Sequence, residues 1–314
     1  MLKISVVAPV YNQPSGTLVE LVQRLSVSIS TITGDFEIIL VDDGSINDAW
    51  STIGNLAQTH PNVRGVHLAR NFGQHVAITA GLDHANGDWV VVMDADLQDR
   101  PEVIPDLYAK AQQGYDVVFV ERSERTQSFV YRMTAAAFYL ILNALSGEEY
   151  NRLQGNFSIV SAKAVQAFRQ LREPGRFYGG MLRWVGFRHG SITSPHAGAD
   201  QSSYSLSRRI GFAIGLIVNF STRLLYISIV FGLVMAAVSF LIGCHIIIEK
   251  ILYPDLPPQG WTSVITAIFF TAGVTNVAIG LTGIYIGQIL QQTRGRPLYV
   301  IAGTAGLPEP PENS

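Results

Sequence analysis

The chain has 314 residues, 48% of them hydrophobic and 15% charged, with a formal net charge of −2 at pH 7. That balance gives no basis for nucleic-acid binding, and the length suits one large domain plus an appendage. A single cysteine, Cys244, excludes an intrachain disulfide and a cysteine-based zinc site.

The first apolar run, residues 4–10, is of strand length and polar turn residues follow it; the strand reads over 4–9, with 10–14 as its exit loop. No small-residue cleavage site follows, so this is not a signal peptide, and the N-terminal part is expected in the cytosol. A helix is predicted over 15–33, with Leu18, Leu21, Val22 and Leu25 at helical spacing. Residues 36–41 form a second buried strand that ends in Asp42-Asp43-Gly44-Ser45, and Asn47 or Asp48 can start the next helix. Residues 63–68 make a third strand. The stretch Arg70-Asn71-Phe72-Gly73-Gln74-His75 leads into a helix through about residue 85, and Asn86-Gly87 ends it.

Val90, Val91, Val92 and Met93 form a continuous apolar run that reads as a strand buried on both faces. It stops at Asp94-Ala95-Asp96. Carboxylates just past a buried strand lie where open α/β sheets bind ligands. Residues i and i+2 of an extended segment point to one side, so both acids can face one cation, and hard oxygen ligands suit Mg²⁺ or Mn²⁺. An isolated D-x-D would more often be a solvated or capping pair; the neighbouring acid-ended strand shifts the balance toward nucleotide chemistry.

Pro101 sits where a helix could start, 116–120 is a further strand, and 128–145 is a long helix rich in aromatics. Strands at 155–160 and 190–193 extend the sheet. Strands alternating with helices predict an α/β domain with a mostly parallel sheet. No G-x-G-x-x-G follows the first strand, so a dinucleotide fold is excluded.

Residues 224–248 and 262–290 are uncharged runs. The first is 25 residues, about 37 Å at about 1.5 Å per residue, enough to span about 30 Å of hydrocarbon with tilt. The second carries Gly273, Gly280, Gly283 and Gly287, which allow close helix packing and suit self-association. Arg208, Arg209, Arg223, Arg294 and Arg296 flank the pair, whereas the connecting loop carries only Lys250 as a basic residue. The positive-inside rule puts both ends in the cytoplasm. Residues 206–222 read as an interfacial amphipathic helix lying on the bilayer, and 292–314 as a cytoplasmic tail.

The segments VVAPVYN (6–12), VDDGS (41–45), ARNFGQHVAITAGLDHANGD (69–88) and MDADLQD (93–99) resemble family 2 glycosyltransferases of the GT-A fold. FRHGSI (187–192), SSYSLSRRIGFA (202–213) and GIYIGQILQQTRGRPLYVI (283–301) are similar to the membrane-bound polyprenyl-phosphate members. The resemblance implies a GT-A catalytic domain over 1–205 and two transmembrane helices over 223–291. It implies sugar transfer from a nucleotide-sugar, a UDP-sugar before a GDP-sugar, to polyprenyl (undecaprenyl) phosphate, with inversion and with Mg²⁺ or Mn²⁺. Asp96, Asp94 and Gln98 match the family's metal site. Pro9, Tyr11, Asn12 and Asp42, with Asp94, match its nucleotide site. Arg122 and Arg132 match its acceptor-phosphate cations most directly, and Arg125 between them is a further candidate that reads equally well as a solvated surface arginine. Where relatives carry an aspartate assigned as general base, this chain has Asn156, read as an orienting residue grouped with Asp94 and Asp96 at the catalytic centre. Where relatives carry a serine beside the arginines, it has Ala135. Two other readings stay open: a family 2 transferase with another lipid or glycan acceptor, and a catalytically inactive membrane scaffold.

Overall fold

The computed structural model describes residues 2–122, 154–194, 223–252 and 260–306. The chain divides into two compact units. One comprises Met1–Tyr139, Glu149–Ser203 and Arg296–Ser314; the other comprises Leu140–Glu148 and Tyr204–Gly295.

The first unit is built on an eight-stranded sheet: β1 Lys3–Val10, β2 Asp35–Asp42, β3 Val63–Leu68, β4 Trp89–Val92, β5 Val117–Arg122, β6 Gln154–Ser161, β7 His189–Ser194 and β8 Ile301–Ala305. Their order is β7-β5-β6-β4-β1-β2-β3-β8. Strands β3, β2, β1 and β4 form a parallel block, β5 and β7 are parallel, and β6 runs antiparallel between β4 and β5. The apolar runs of β1, β2 and β4 are buried on both faces, as residues with helices packed over them must be.

Helices α1 Ser15–Ser30, α2 Ala49–Thr59, α3 Gln74–His84, α4 Ile104–Ala111, α5 Ala162–Gln170 and α6 Tyr178–Trp184 cover that sheet. The spacing of Leu18, Leu21, Val22 and Leu25 gives α1 its buried stripe, completed by Ile29. Helix α3 lies so close to β1 that a Cβ at Gly81 would come 2.2 Å from Val7 Cγ1. Its close approach fixes where its first residues meet the sheet edge.

Strand β8 is the part of the fold that the sequence pattern does not predict. It pairs antiparallel with β3, Gly65 opposite Ala305, inside the segment read as a tail. It covers what would otherwise be an open strand edge. Tyr299, just before it, donates to Asp83 near the end of α3.

The second unit contains α7 Arg223–Leu252 and α8 Trp261–Thr293. These contain the two uncharged runs. Among the described residues, one helical stretch, Ala267–Thr293, is long and apolar enough to cross a membrane; α7 contributes the shorter apolar stretch Ile229–Ile242. The predicted helix at 128–145 and the interfacial helix at 206–222 lie outside the described residues.

Candidate active site

The carboxyl ends of β1, β2, β4 and β5 lie along one edge of the sheet, because β6 is antiparallel to both β4 and β5. Two of the predicted site positions, Pro9 and Asp42, stand there in register. Pro9 faces Val41, and Val10 faces Asp42 across β1 and β2. Val92 faces Ser158 across β4 and β6. Asp94 follows two residues past Val92, and Asn156 precedes Ser158 by two residues on β6. Arg122 ends β5 at the same edge, and its backbone position alone is described. Arg125, Arg132 and Ala135 lie outside the described residues.

The exit of β2 is held by its own acids. Asp42 is fully buried; its Oδ1 accepts the Ser45 N–H at 3.1 Å and its Oδ2 lies 2.7 Å from His67 Nδ1. The His67 ring stacks on Trp50 with centroids 4.8 Å apart. A carboxylate has about four lone-pair positions, so these two contacts do not exhaust Asp42. Asp43 is also buried, and its oxygens accept the N–H groups of Phe72 at 2.7 Å and Gly73 at 2.9 Å. Burial pushes the Asp43 carboxyl above its ordinary range, while these two donors pull it back and neighbouring Asp42 adds to the rise.

Asn12 adopts a positive φ of 54° and latches two loops together. Its N–H donates to Ser45 Oγ and its Oδ1 accepts the Ile46 N–H, both at 2.9 Å. The side chain is thus occupied in shaping the loop. Tyr11, beside it, is 47% exposed and offers a ring face for stacking.

Past β4, Asp96 Oδ1 accepts the Gln98 N–H at 3.0 Å, and Leu97 between them has φ 61°. A leucine in the left-handed region is a strained residue of the kind found at functional sites. Asp94 Oδ1 accepts Gln74 Nε2 at 2.6 Å. Among the described residues no three His, Cys, Asp or Glu side chains gather into a metal cluster. The Asp94 and Asp96 carboxylates and the Gln98 amide supply oxygen donors within five residues of chain. Such a set fits Mg²⁺ or Mn²⁺, which fill their remaining positions with water and substrate phosphate.

Beneath Asn156, Ser158 is buried; its hydroxyl donates to the Asn156 carbonyl at 2.9 Å and lies 2.8 Å from the Tyr178 hydroxyl. Burial pushes the Tyr178 phenol well above its ordinary range, so it remains a protonated donor. Arg176, 8% exposed, donates to Thr79 Oγ1 at 2.7 Å and lies over the Phe168 ring. Burial lowers its guanidinium to about 10. Sequence reasoning had no role for His67, Gln74 or Tyr178. Only Gln74 carried a signal: its place at the start of a helix directly after Asn71-Phe72-Gly73.

A family model described as glycosyl transferase family 2 matches residues 5–170. The SfII prophage-derived bactoprenol glucosyl transferase of Shigella flexneri is 35% identical over 310 residues, covering 96% of this chain and 97% of that one. The uncharacterized glycosyltransferase YkcC of Bacillus subtilis is 31% identical over 309 residues, covering 98% and 95%. Among solved structures, glucosyl-3-phosphoglycerate synthase from Mycobacterium tuberculosis, in complex with Mn²⁺, UDP and phosphoglyceric acid, superposes with a TM-score of 0.51 at 19% identity. It covers 69% of this chain and 76% of its own. The likeness is one of fold: the first unit has the GT-A α/β architecture.

Proposed function

The chain belongs to glycosyl transferase family 2 and is a glycosyltransferase, and we propose that it moves a sugar from a UDP-sugar to polyprenyl phosphate at the cytoplasmic face of a membrane. The observation that carries this reading is that Pro9, Asp42 and Arg122 lie at the carboxyl ends of β1, β2 and β5, with Asp94 just past the end of β4 at the same edge of the sheet. The near full-length match to bactoprenol glucosyl transferases, which extends through α7 and α8, supports the lipid acceptor.

Tyr11 stacks on the base, and Asp42 accepts hydrogen bonds from base or ribose. Asp96, with Asp94 and Gln98, holds a divalent cation, which supplies neutralisation of the leaving diphosphate's charge. Arg122, with Arg125 and Arg132, clamps the acceptor phosphate. An acceptor phosphate oxygen forms a bond to the anomeric carbon as the bond to the nucleoside diphosphate breaks, inverting that centre. Asn156 takes no proton at neutral pH. None is needed, since a phosphate monoester with a second pKa of about 6 is already largely dianionic at pH 7. Asn156 orients the reacting groups.

The membrane part is read as two spans, α7 and α8, with an interfacial helix before them and both flanks cytoplasmic. Strand β8 supports it. A chain that leaves the catalytic unit, crosses the bilayer and returns to pair with β3 must cross an even number of times. Helices of 30 and 33 residues provide two crossings, about 45 and 50 Å long at about 1.5 Å per residue.

The test is sugar transfer in detergent with undecaprenyl phosphate, Mn²⁺ or Mg²⁺ and a panel of UDP- and GDP-sugars, with Asp96→Ala beside the wild type. A lipid-soluble product that requires the cation and Asp96 supports the reading. No product across the panel, with UDP binding intact, moves the chain to another acceptor or to an inactive scaffold.

A further inference from the structure

We propose that Gln74 is a positioning residue for Asp94, delivered by a loop that Asp43 anchors; the proposal rests on the reading of Asp94 and Asp96 as the cation pair. Gln74 opens α3, and its Nε2 donates to Asp94 Oδ1 at 2.6 Å. Its side chain is exposed, so packing does not hold the amide in place. The loop before it does.

That loop is clamped from the β2 exit. The two oxygens of Asp43 each take one N–H, from Phe72 and from Gly73. Gly44 lies against the loop so tightly that a Cβ there would stand 2.4 Å from the Arg70 carbonyl carbon. Arg70 folds back over the Phe72 ring, 4.4 Å from its centroid. Gly73, at φ 98°, then turns the chain into α3. Residues 70–74 therefore bridge the nucleoside side of the edge to the D-x-D side, with a carboxylate at each end.

The chemistry of the amide suits this task. A lysine or arginine at position 74 would fix Asp94 but compete with the cation; an acid would repel Asp94. Glutamine takes up one oxygen and adds no charge, so it restricts the carboxylate to one orientation without lowering the site's attraction for a cation. Partners that orient metal ligands change metal affinity by about 10- to 100-fold when removed.

The experiment is UDP binding to the full chain in detergent, by calorimetry, across a Mn²⁺ titration. Gln74→Ala is expected to raise the Mn²⁺ concentration for half-maximal UDP binding about tenfold. The melting temperature and the Mn²⁺-free UDP affinity should stay unchanged. Asp43→Asn, which can satisfy only one of the two N–H groups, should shift the Mn²⁺ requirement in the same direction. In an Asp94→Asn background Gln74→Ala should add little, since the two act as one unit. An unmoved Mn²⁺ requirement in Gln74→Ala, or an equal loss of UDP affinity with and without Mn²⁺, overturns the proposal alone. A wild type whose UDP binding ignores Mn²⁺ overturns the cation reading and this proposal with it.

Discussion

Tyr299 donates its hydroxyl to Asp83 Oδ2 at 2.8 Å, joining positions 216 residues apart. The same carboxylate receives both terminal nitrogens of Arg172, at 2.8 and 2.9 Å. Asp83 thus ties the returning C-terminal segment and the chain after α5 to the last turn of α3. Arg169 adds to this tie by donating to the carbonyls of Leu82 and Ala85 at the end of the helix. Helix α3 is held at one end by these groups and presents Gln74 to Asp94 at the other.

Tyr299→Phe should lower stability by about 1.5 kcal/mol, the scale of a hydrogen bond to a charged group, and the melting temperature by roughly 2–4 °C. Burial and the Asp83 charge push the phenol well above its ordinary range, so the bond persists through mildly alkaline pH. Arg172→Ala should cost less, because that ion pair is half exposed on the arginine side. Thermal melts of the three proteins in one detergent check the order. No loss in Tyr299→Phe would mean that the C-terminal segment is held by β8 pairing without this bond.

Gly44→Ala should cost at least about 2 kcal/mol, from the left-handed φ of 67° and from the contact with Arg70. The colliding atoms are backbone, so relief requires moving the 70–74 loop and with it the Asp43 hydrogen bonds. A fall in melting temperature accompanied by weaker Mn²⁺-dependent UDP binding is the expected pair of results. A fall in stability with binding unchanged would separate the loop from the site.

Much of this architecture was legible because buried parallel strands announce themselves as short apolar runs. Strand β3 occupies the residues that the run at 63–68 marks, and β1, β2 and β4 lie within a residue or two of theirs. The acids at their ends were legible for the same reason, since Asp42 and Asp94 interrupt runs that are otherwise apolar. Strand β8 was not. Ile-Ala-Gly-Thr-Ala has weak alternation, and its stability comes from a partner more than two hundred residues away. His67 and Gln74 were hidden because what they do depends on neighbours across the sheet rather than on spacing along the chain. The antiparallel placement of β6 was equally silent, yet it is what puts Asn156 on the strand beside β4.

His75 predicts an acid limb in stability. Burial, then the Arg176 charge, lowers its imidazole from 6.5 to about 4. Its Nδ1 accepts the Tyr178 N–H at 3.5 Å, and protonation would set one N–H against another. Between pH 6.5 and 4 the unfolded chain holds a proton that the folded one does not, so stability is full above 6.5 and falls as pH drops through that window. The ceiling is about 3 kcal/mol. His75→Gln should flatten the wild-type slope of melting temperature against pH over that window. Parallel slopes in the two proteins would remove His75 as the cause.

Asn156 offers the sharpest test of whether the reaction needs a protein base. If the acceptor arrives as a dianion, Asn156→Asp should change turnover by less than about tenfold at pH 7.5, since it supplies a proton acceptor that the chemistry does not use. The wild type should lose activity as its acceptor phosphate is protonated at about pH 6, and if the new carboxylate lies close to Asp94, two carboxylates that do not both ionise readily should move the variant's loss to higher pH. Asn156→Ala, lacking the orienting amide, should lower kcat while leaving the donor KM near its wild-type value. A rise of a hundredfold or more in Asn156→Asp would show that the native chain is short of a base, and would favour the reading of it as a chemically impaired member of its family.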